Sequence, residues 1–269
     1  IAKPTVTITT AAPNPTNAPF TATITFNEVL ASGTFDVGDI TVANATLSAF
    51  TNTTLDRIWT VLVTPTGSNV TLDIAADVAT DLATNTNTAA VQLARTYDIA
   101  VPTVTLTSPA PDPANAAFVV TITFNEVLTA GSFVVGDITV ANATLSAFTN
   151  TVANRVWTVQ VNPTGANVSV NVAAAVATDL AGNSNTAATA LTRTFDNVRP
   201  SVVMTTTAAN PINVPFTVTV TFSEDVLNFD VSDIVATNAT LSAFTNTVPS
   251  SVWTVLVTPT AAAVTLNIA

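Results

Sequence analysis

Phe20-Thr21-Ala22-Thr23-Ile24-Thr25-Phe26 places an apolar side chain at every second position and a threonine between each pair. That period of two is the mark of a strand with one face buried and one face wet. Working outward, Val6 and Ile8 alternate with Thr in the same way. Downstream come Ile40 and Val42, then a strand around Leu47 to Phe50, then Trp59, Val61 and Val63, then Val70, Leu72 and Ile74. A seventh strand is predicted over about Ala89 to Tyr97. Turn formers separate these runs: Pro13-Asn14-Pro15, Thr64-Pro65-Thr66-Gly67 and Asp81-Leu82-Ala83-Thr84-Asn85. The Ala-rich stretch from Ala75 to Ala83 is the one place where a helical turn competes.

The same pattern occurs three times. Asn-Ala-Thr-Leu-Ser-Ala-Phe-Thr-Asn begins at Asn44, Asn142 and Asn238, and Pro4, Pro102 and Pro200 each open a unit at intervals of 98 residues. A period of that size is one small domain per repeat. The chain of 269 residues therefore divides into 1–98, 99–196 and 197–269. Seven short strands and one Trp per copy (Trp59, Trp157, Trp253) predict an all-β protein of tandem immunoglobulin-like β-sandwich domains arranged end to end. With an odd number of strands alternating in direction, the two ends of a domain lie at opposite poles. Successive copies then join as a rod, with Pro102 and Pro200 stiffening the joints.

The third copy differs from the others. Phe35 and Phe133 are 98 residues apart but Phe133 and Phe229 only 96, so one connection is two residues shorter. Ala269 aligns with Ala75, so the last copy is incomplete, without counterparts of Ala76 to Asp98 and hence without a seventh strand. Either the chain is a segment of a longer array, or a neighbouring subunit inserts a strand there, which would make a self-associating filament. Ile1-Ala2-Lys3 leaves no room for a donor segment ahead of the first domain, which weighs against the filament.

Charge and composition exclude several classes of partner. Six Lys and Arg against seventeen Asp and Glu give a net charge of −11, so the clustered cations that nucleic acid needs are missing. No apolar run approaches the ~20 residues of a membrane-spanning helix. With no His and no Cys, Ser-His-Asp and Cys-His catalysis is excluded and zinc is disfavoured. The three Glu (Glu28, Glu126, Glu224) recur at one position of the repeat, which marks a repeat feature rather than a unique active site. Absence of Cys is neutral about compartment, whereas abundant Thr and a single Lys lean towards the outside of a cell. The three Trp lie in alternating apolar strands and read as core anchors. Asn44-Ala45-Thr46 and its copies fit both an N-glycosylation pattern and a hairpin, of which the hairpin is preferred.

Thr221-Phe222-Ser223-Glu224-Asp225-Val226, Phe229-Asp230-Val231-Ser232-Asp233-Ile234 and Ala177-Thr178-Asp179-Leu180-Ala181-Gly182-Asn183 resemble the bacterial Ig-like repeats of large cell-surface proteins and adhesins. The resemblance covers the whole chain. It implies an extracellular stalk or spacer, built from neighbouring copies of one module; a glycan- or protein-binding module is the further alternative. It also adds most of the expectation of structural Ca²⁺ at domain junctions.

Alternating strand directions bring Glu126 and Asp179 to the pole where Asp98 arrives from the linker, with Asp137 at the start of the third strand nearby. Carboxylates converging at a junction suit Ca²⁺, which takes six to eight oxygen ligands. The equivalent sets are partial: Glu28, Asp39 and Asp81 lack a linker Asp, and Asp196, Glu224 and Asp233 lack a loop Asp. The competing expectation is that each Asp caps a turn and each Glu ends a strand in solvent.

Overall fold

A computed structural model describes residues 2–268. The first copy holds β1 (Val6–Thr9), β2 (Phe20–Phe26), β3 (Ile40–Ala43), β4 (Ala45–Thr54), β5 (Ile58–Pro65), β6 (Asn69–Ile74) and β7 (Leu93–Thr96). The second holds β8 (Val104–Thr107), β9 (Phe118–Phe124), β10 (Ile138–Ala141), β11 (Ala143–Val152), β12 (Val156–Pro163), β13 (Asn167–Val172) and β14 (Leu191–Thr194). The third holds β15 (Val202–Thr205), β16 (Phe216–Phe222), β17 (Ile234–Thr237), β18 (Ala239–Val248), β19 (Val252–Pro259) and β20 (Thr265–Ile268). A single 3-10 turn precedes the third strand of each copy, at Val37–Asp39, Val135–Asp137 and Val231–Asp233.

Each complete copy is two antiparallel sheets, β1-β2-β5-β4 against β3-β6-β7 in the first and β11-β12-β9-β8 against β10-β13-β14 in the second. Strands alternate in direction, but the chain changes sheet between β2 and β3, β3 and β4, and β5 and β6. This is the strand arrangement of an immunoglobulin constant-type sandwich. Alternation does the work that the sequence promised: Phe20, Ala22, Ile24 and Phe26 are all buried beside Trp59, Val61 and Val63 of the neighbouring strand, and share one core with Val70, Leu72 and Ile74 of the opposite sheet. Phe26 and Phe35 pack edge-on to Trp59, at centroid distances of 5.7 and 5.1 Å, and the second copy repeats this with Phe124, Phe133 and Trp157.

Three local expectations are corrected. Asn44 does not close a hairpin within one sheet. It takes the chain from β3 in one sheet to β4 in the other, with φ of 56°. Asn tolerates this left-handed conformation, and its side chain ties the corner by donating to the Asn69 carbonyl at 2.7 Å. Residues 75–83 form no helical turn. Asn87 gathers that stretch into a loop whose N–H groups point at a side chain instead of along a helix axis. The seventh strand is also shorter than predicted, because Ala90 bonds back to Ile74 before the β7 ladder begins.

By compactness the chain forms two units, 1–196 and 197–269. In the second unit the sheet opposite β15-β16-β19-β18 contains β17 and β20 among the described residues. Leu266 of β20 stands where Leu72 of β6 pairs with Leu93 in the first copy. A groove of about 730 Å³ runs beside it, lined by Met204, Phe216, Val218, Pro259, Val264 and Leu266.

Candidate functional site at the junction of the first two copies

Three pieces of chain meet at the N-terminal pole of the second copy. The linker is fastened first: Asp98 donates its N–H to the Thr16 carbonyl at 3.0 Å, and its Oδ1 accepts the N–H of Ala100 at 2.9 Å. Glu126 follows the end of β9, where Asn125 is pinned against Thr103 by a pair of bonds. Asp179 belongs to the loop between β13 and β14, bridged to Leu128.

The β13–β14 loop is shaped by two buried polar side chains. Asn185, 3% exposed, accepts from the N–H groups of Val176 and Ala177 and donates to the carbonyls of Ala173 and Thr186. A buried amide that fills both donors and both lone pairs specifies one loop conformation. Asp179, 2% exposed, then accepts the N–H groups of Ala181 and Asn183 on Oδ1 and the Asn183 side chain on Oδ2. Asn87 and Asp81 repeat these contacts in the first copy. Hydrogen bonding from Asn85 there holds the Asp81 carboxyl below the usual carboxylate range. Neither Asn was singled out by sequence; the signal was present in Ala-Thr-Asn-Thr-Asn and Ala-Gly-Asn-Ser-Asn, which place two asparagines two residues apart in each loop.

The result is that carboxylate oxygens of Asp98, Glu126 and Asp179 lie within 4.8 Å of one another. Asp179 is accounted for by its loop, but Glu126 is not: its Oε1 is buried and has no hydrogen-bond partner. Burial, then the charges of Asp179 and Asp98, push the Glu126 carboxyl above its ordinary pKa. A cation with metal–oxygen distances of about 2.3–2.6 Å would satisfy all three groups at once, since oxygens around one ion stand up to ~5 Å apart. Each carboxylate supplies at least one oxygen, Asp179 through Oδ2 because its Oδ1 already accepts two N–H groups, and water completes the shell. The residues present therefore fit Ca²⁺.

Asp137 is not a member of this group. Its Oδ2 accepts the N–H of Val134 at 2.7 Å and closes the 3-10 turn before β10. Asp39 and Asp233 do the same work in their own copies, accepting from Asp36 and Asp230. The expectation that an Asp at this place joins the junction is corrected: the Asp137 carboxylate is turned to the Val134 N–H, and the three that converge are Asp98, Glu126 and Asp179. Glu28 and Asp81 of the first copy join no group of three among the described residues. In the second unit Glu224 repeats the buried, unpartnered Oε1 of Glu126, while Asp196 closes the first unit, its N–H donating to Ala114.

Paired sheets in constant-type order, repeated with the same aromatic core and the same polar loop clamp, define a tandem array of immunoglobulin-type sandwiches. The model of the bacterial Ig-like domain matches three times, over residues 1–97, 98–195 and 196–268, and the chain belongs to that family. No curated protein matches the chain.

Proposed function

We propose that the chain is a stalk or spacer segment of an extracellular bacterial surface protein, an adhesin or a matrix protein, in which Ca²⁺ reinforces the joint between the first two copies. Its work is mechanical: each sandwich resists extension through strand pairing and its core, and the joints set reach and stiffness. The supporting observation is the joint itself, where Asp98, Glu126 and Asp179 converge and Glu126 Oε1 is left buried without a partner. Repulsion among three carboxylates lowers the stability of this pole without a cation, and a bound ion reverses the sign.

Thermal melting in millimolar calcium and in chelator tests the cation. A ligand at a hundredfold excess over its Kd, binding only the folded state, adds about 2.7 kcal/mol. The melting temperature should rise in calcium, and the rise should vanish in Asp98→Asn. Coincident melting curves for the parent protein would end the calcium reading. Small-angle scattering tests the stalk, which requires a rod of fixed length.

A further inference from the structure

At the same joint, two asparagines meet across the copies. Asn17, in the turn between β1 and β2, donates its Nδ2 to the Oδ1 of Asn183 at 3.1 Å. The Nδ2 of Asn183 is already committed to the Asp98 carbonyl at 2.9 Å and to Asp179 Oδ2 at 2.8 Å. Its oxygen is therefore the group turned towards the first copy, and Asn17 is the matching donor.

Internal comparison shows what this contact covers. The loops at 81–85 and 179–183 make the same bonds to their Asp, yet Ala181 is 5% exposed while its counterpart Ala83 is exposed. Asn17 is half-buried, whereas Asn115 and Asn213, which occupy the same place in the second and third copies, are exposed. The backbone of Gly182 has φ of +93°, and an added Cβ would have Asn17 Nδ2 as its neighbour at 3.6 Å. In the first copy Thr84 holds that position.

We propose that this contact is the docking code of the array. The C-terminal pole of the first copy, presenting Asn17, recognises the N-terminal pole of the second, whose loop reads Asp-Leu-Ala-Gly-Asn, and the contact holds this joint with no cation present. The latch is separate from the calcium reading: Asn17 touches Asn183, and no carboxylate oxygen takes part in that bond.

The chain has no Cys, so spin labels at Thr46→Cys and Thr144→Cys, both exposed, report one distance across the joint. Measured in chelator by pulsed electron resonance, the parent should give a narrow distance distribution. Asn17→Ala should broaden it at least about twofold, and Asn115→Ala should leave it unchanged. Hydrogen exchange at the Ala181 amide should quicken in Asn17→Ala by roughly fivefold, the factor expected for one net hydrogen bond. Asn17→Ala is not expected to unfold the first copy, since the side chain bonds to Asn183 of the second copy, and unchanged far-ultraviolet dichroism checks this. The proposal is overturned if Asn17→Ala is as narrow as the parent, or if the parent in chelator is already as broad as the variant. Both outcomes are read without calcium, so a chain whose melting ignores calcium still passes or fails this test by itself.

Discussion

The side-chain oxygen of Asn185 accepts the backbone N–H of Ala177 at 2.8 Å, and the same atom takes the N–H of Val176 at 3.0 Å. One amide thus does for residues 173–186 what a helix would have done through its own backbone. Asn185→Ala strands two N–H groups and two carbonyls in a site that is 3% exposed. Each unpartnered buried group costs about 1–3 kcal/mol, partly recovered by local opening. A loss of about 3–5 kcal/mol for the second copy is expected in urea unfolding. Because the loop carries Asp179, the variant should also lose any calcium-dependent shift in melting. An unchanged unfolding midpoint would show that the clamp is not holding the loop.

The framework of the domain was legible because burial on one face leaves a period of two in the sequence, and duplication repeated that period three times. Phe20 to Phe26, Trp59 to Val63 and Val70 to Ile74 all lie where alternation put them. The polar loop was not legible in the same way. Ala75 to Ala83 has the composition of a helix, and what overrides propensity is Asn87, a residue beyond the stretch itself. Asn44 gave a turn signal, but which sheet the next strand joins is decided by tertiary packing. Of the junction carboxylates, chain direction brought Asp98, Glu126 and Asp179 to one pole. It placed Asp137 there too, since a capping bond three residues back leaves no trace in a list of acidic residues.

The Glu126 carboxyl carries a pH dependence with a definite sign. Burial and the neighbouring Asp179 and Asp98 raise its pKa in the folded state. The protonated form is the one that the fold favours, so this contribution is complete below the ordinary Glu value of about 4.3 and is lost as pH rises through the raised value. At neutral pH in chelator, Glu126→Gln should therefore be slightly more stable than the parent, by no more than about 1 kcal/mol for a partly solvated group. At pH 3.5 the difference should close. In calcium the order should invert, because the amide removes a charged ligand. Parallel melting temperatures for the two proteins from pH 3.5 to 7 would contradict the assigned cause.

Phe133 and Phe229 separate aromatic geometry from burial. Each stands edge-on to its Trp at 5.0 Å. Phe133 is 4% exposed, whereas Phe229 is only half-buried. Phe133→Ala should cost about 3–5 kcal/mol, the usual range for a buried Phe. Phe229→Ala should cost clearly less, since less apolar area leaves water in the first place. One Trp per copy makes the measurement direct: with two of the three Trp changed to Phe, the remaining one reports unfolding of its own domain. Equal losses at both positions would mean that ring contacts outweigh area.

Asn142 holds φ of 54° where the chain passes from β10 to β11, and its Nδ2 donates to the Asn167 carbonyl at 2.7 Å. Conformation and hydrogen bond make separable demands. Asn142→Ala gives up both and should cost about 2 kcal/mol, roughly one for the left-handed backbone and one for the bond. Asn142→Gly keeps the backbone free and loses only the bond, so about half that cost is expected. Gly165→Ala presses on the same corner from the other side, its Cβ arriving 3.2 Å from that of Asn142. Its effect should be small, because the third copy has Ala261 at this place and its Asn238 still bonds across the corner, to the Ala262 carbonyl at 2.9 Å. The order Asn142→Ala, Asn142→Gly, Gly165→Ala in falling destabilisation, read from urea midpoints, is the expected outcome. Equal losses for the first two would assign the corner to its hydrogen bond alone.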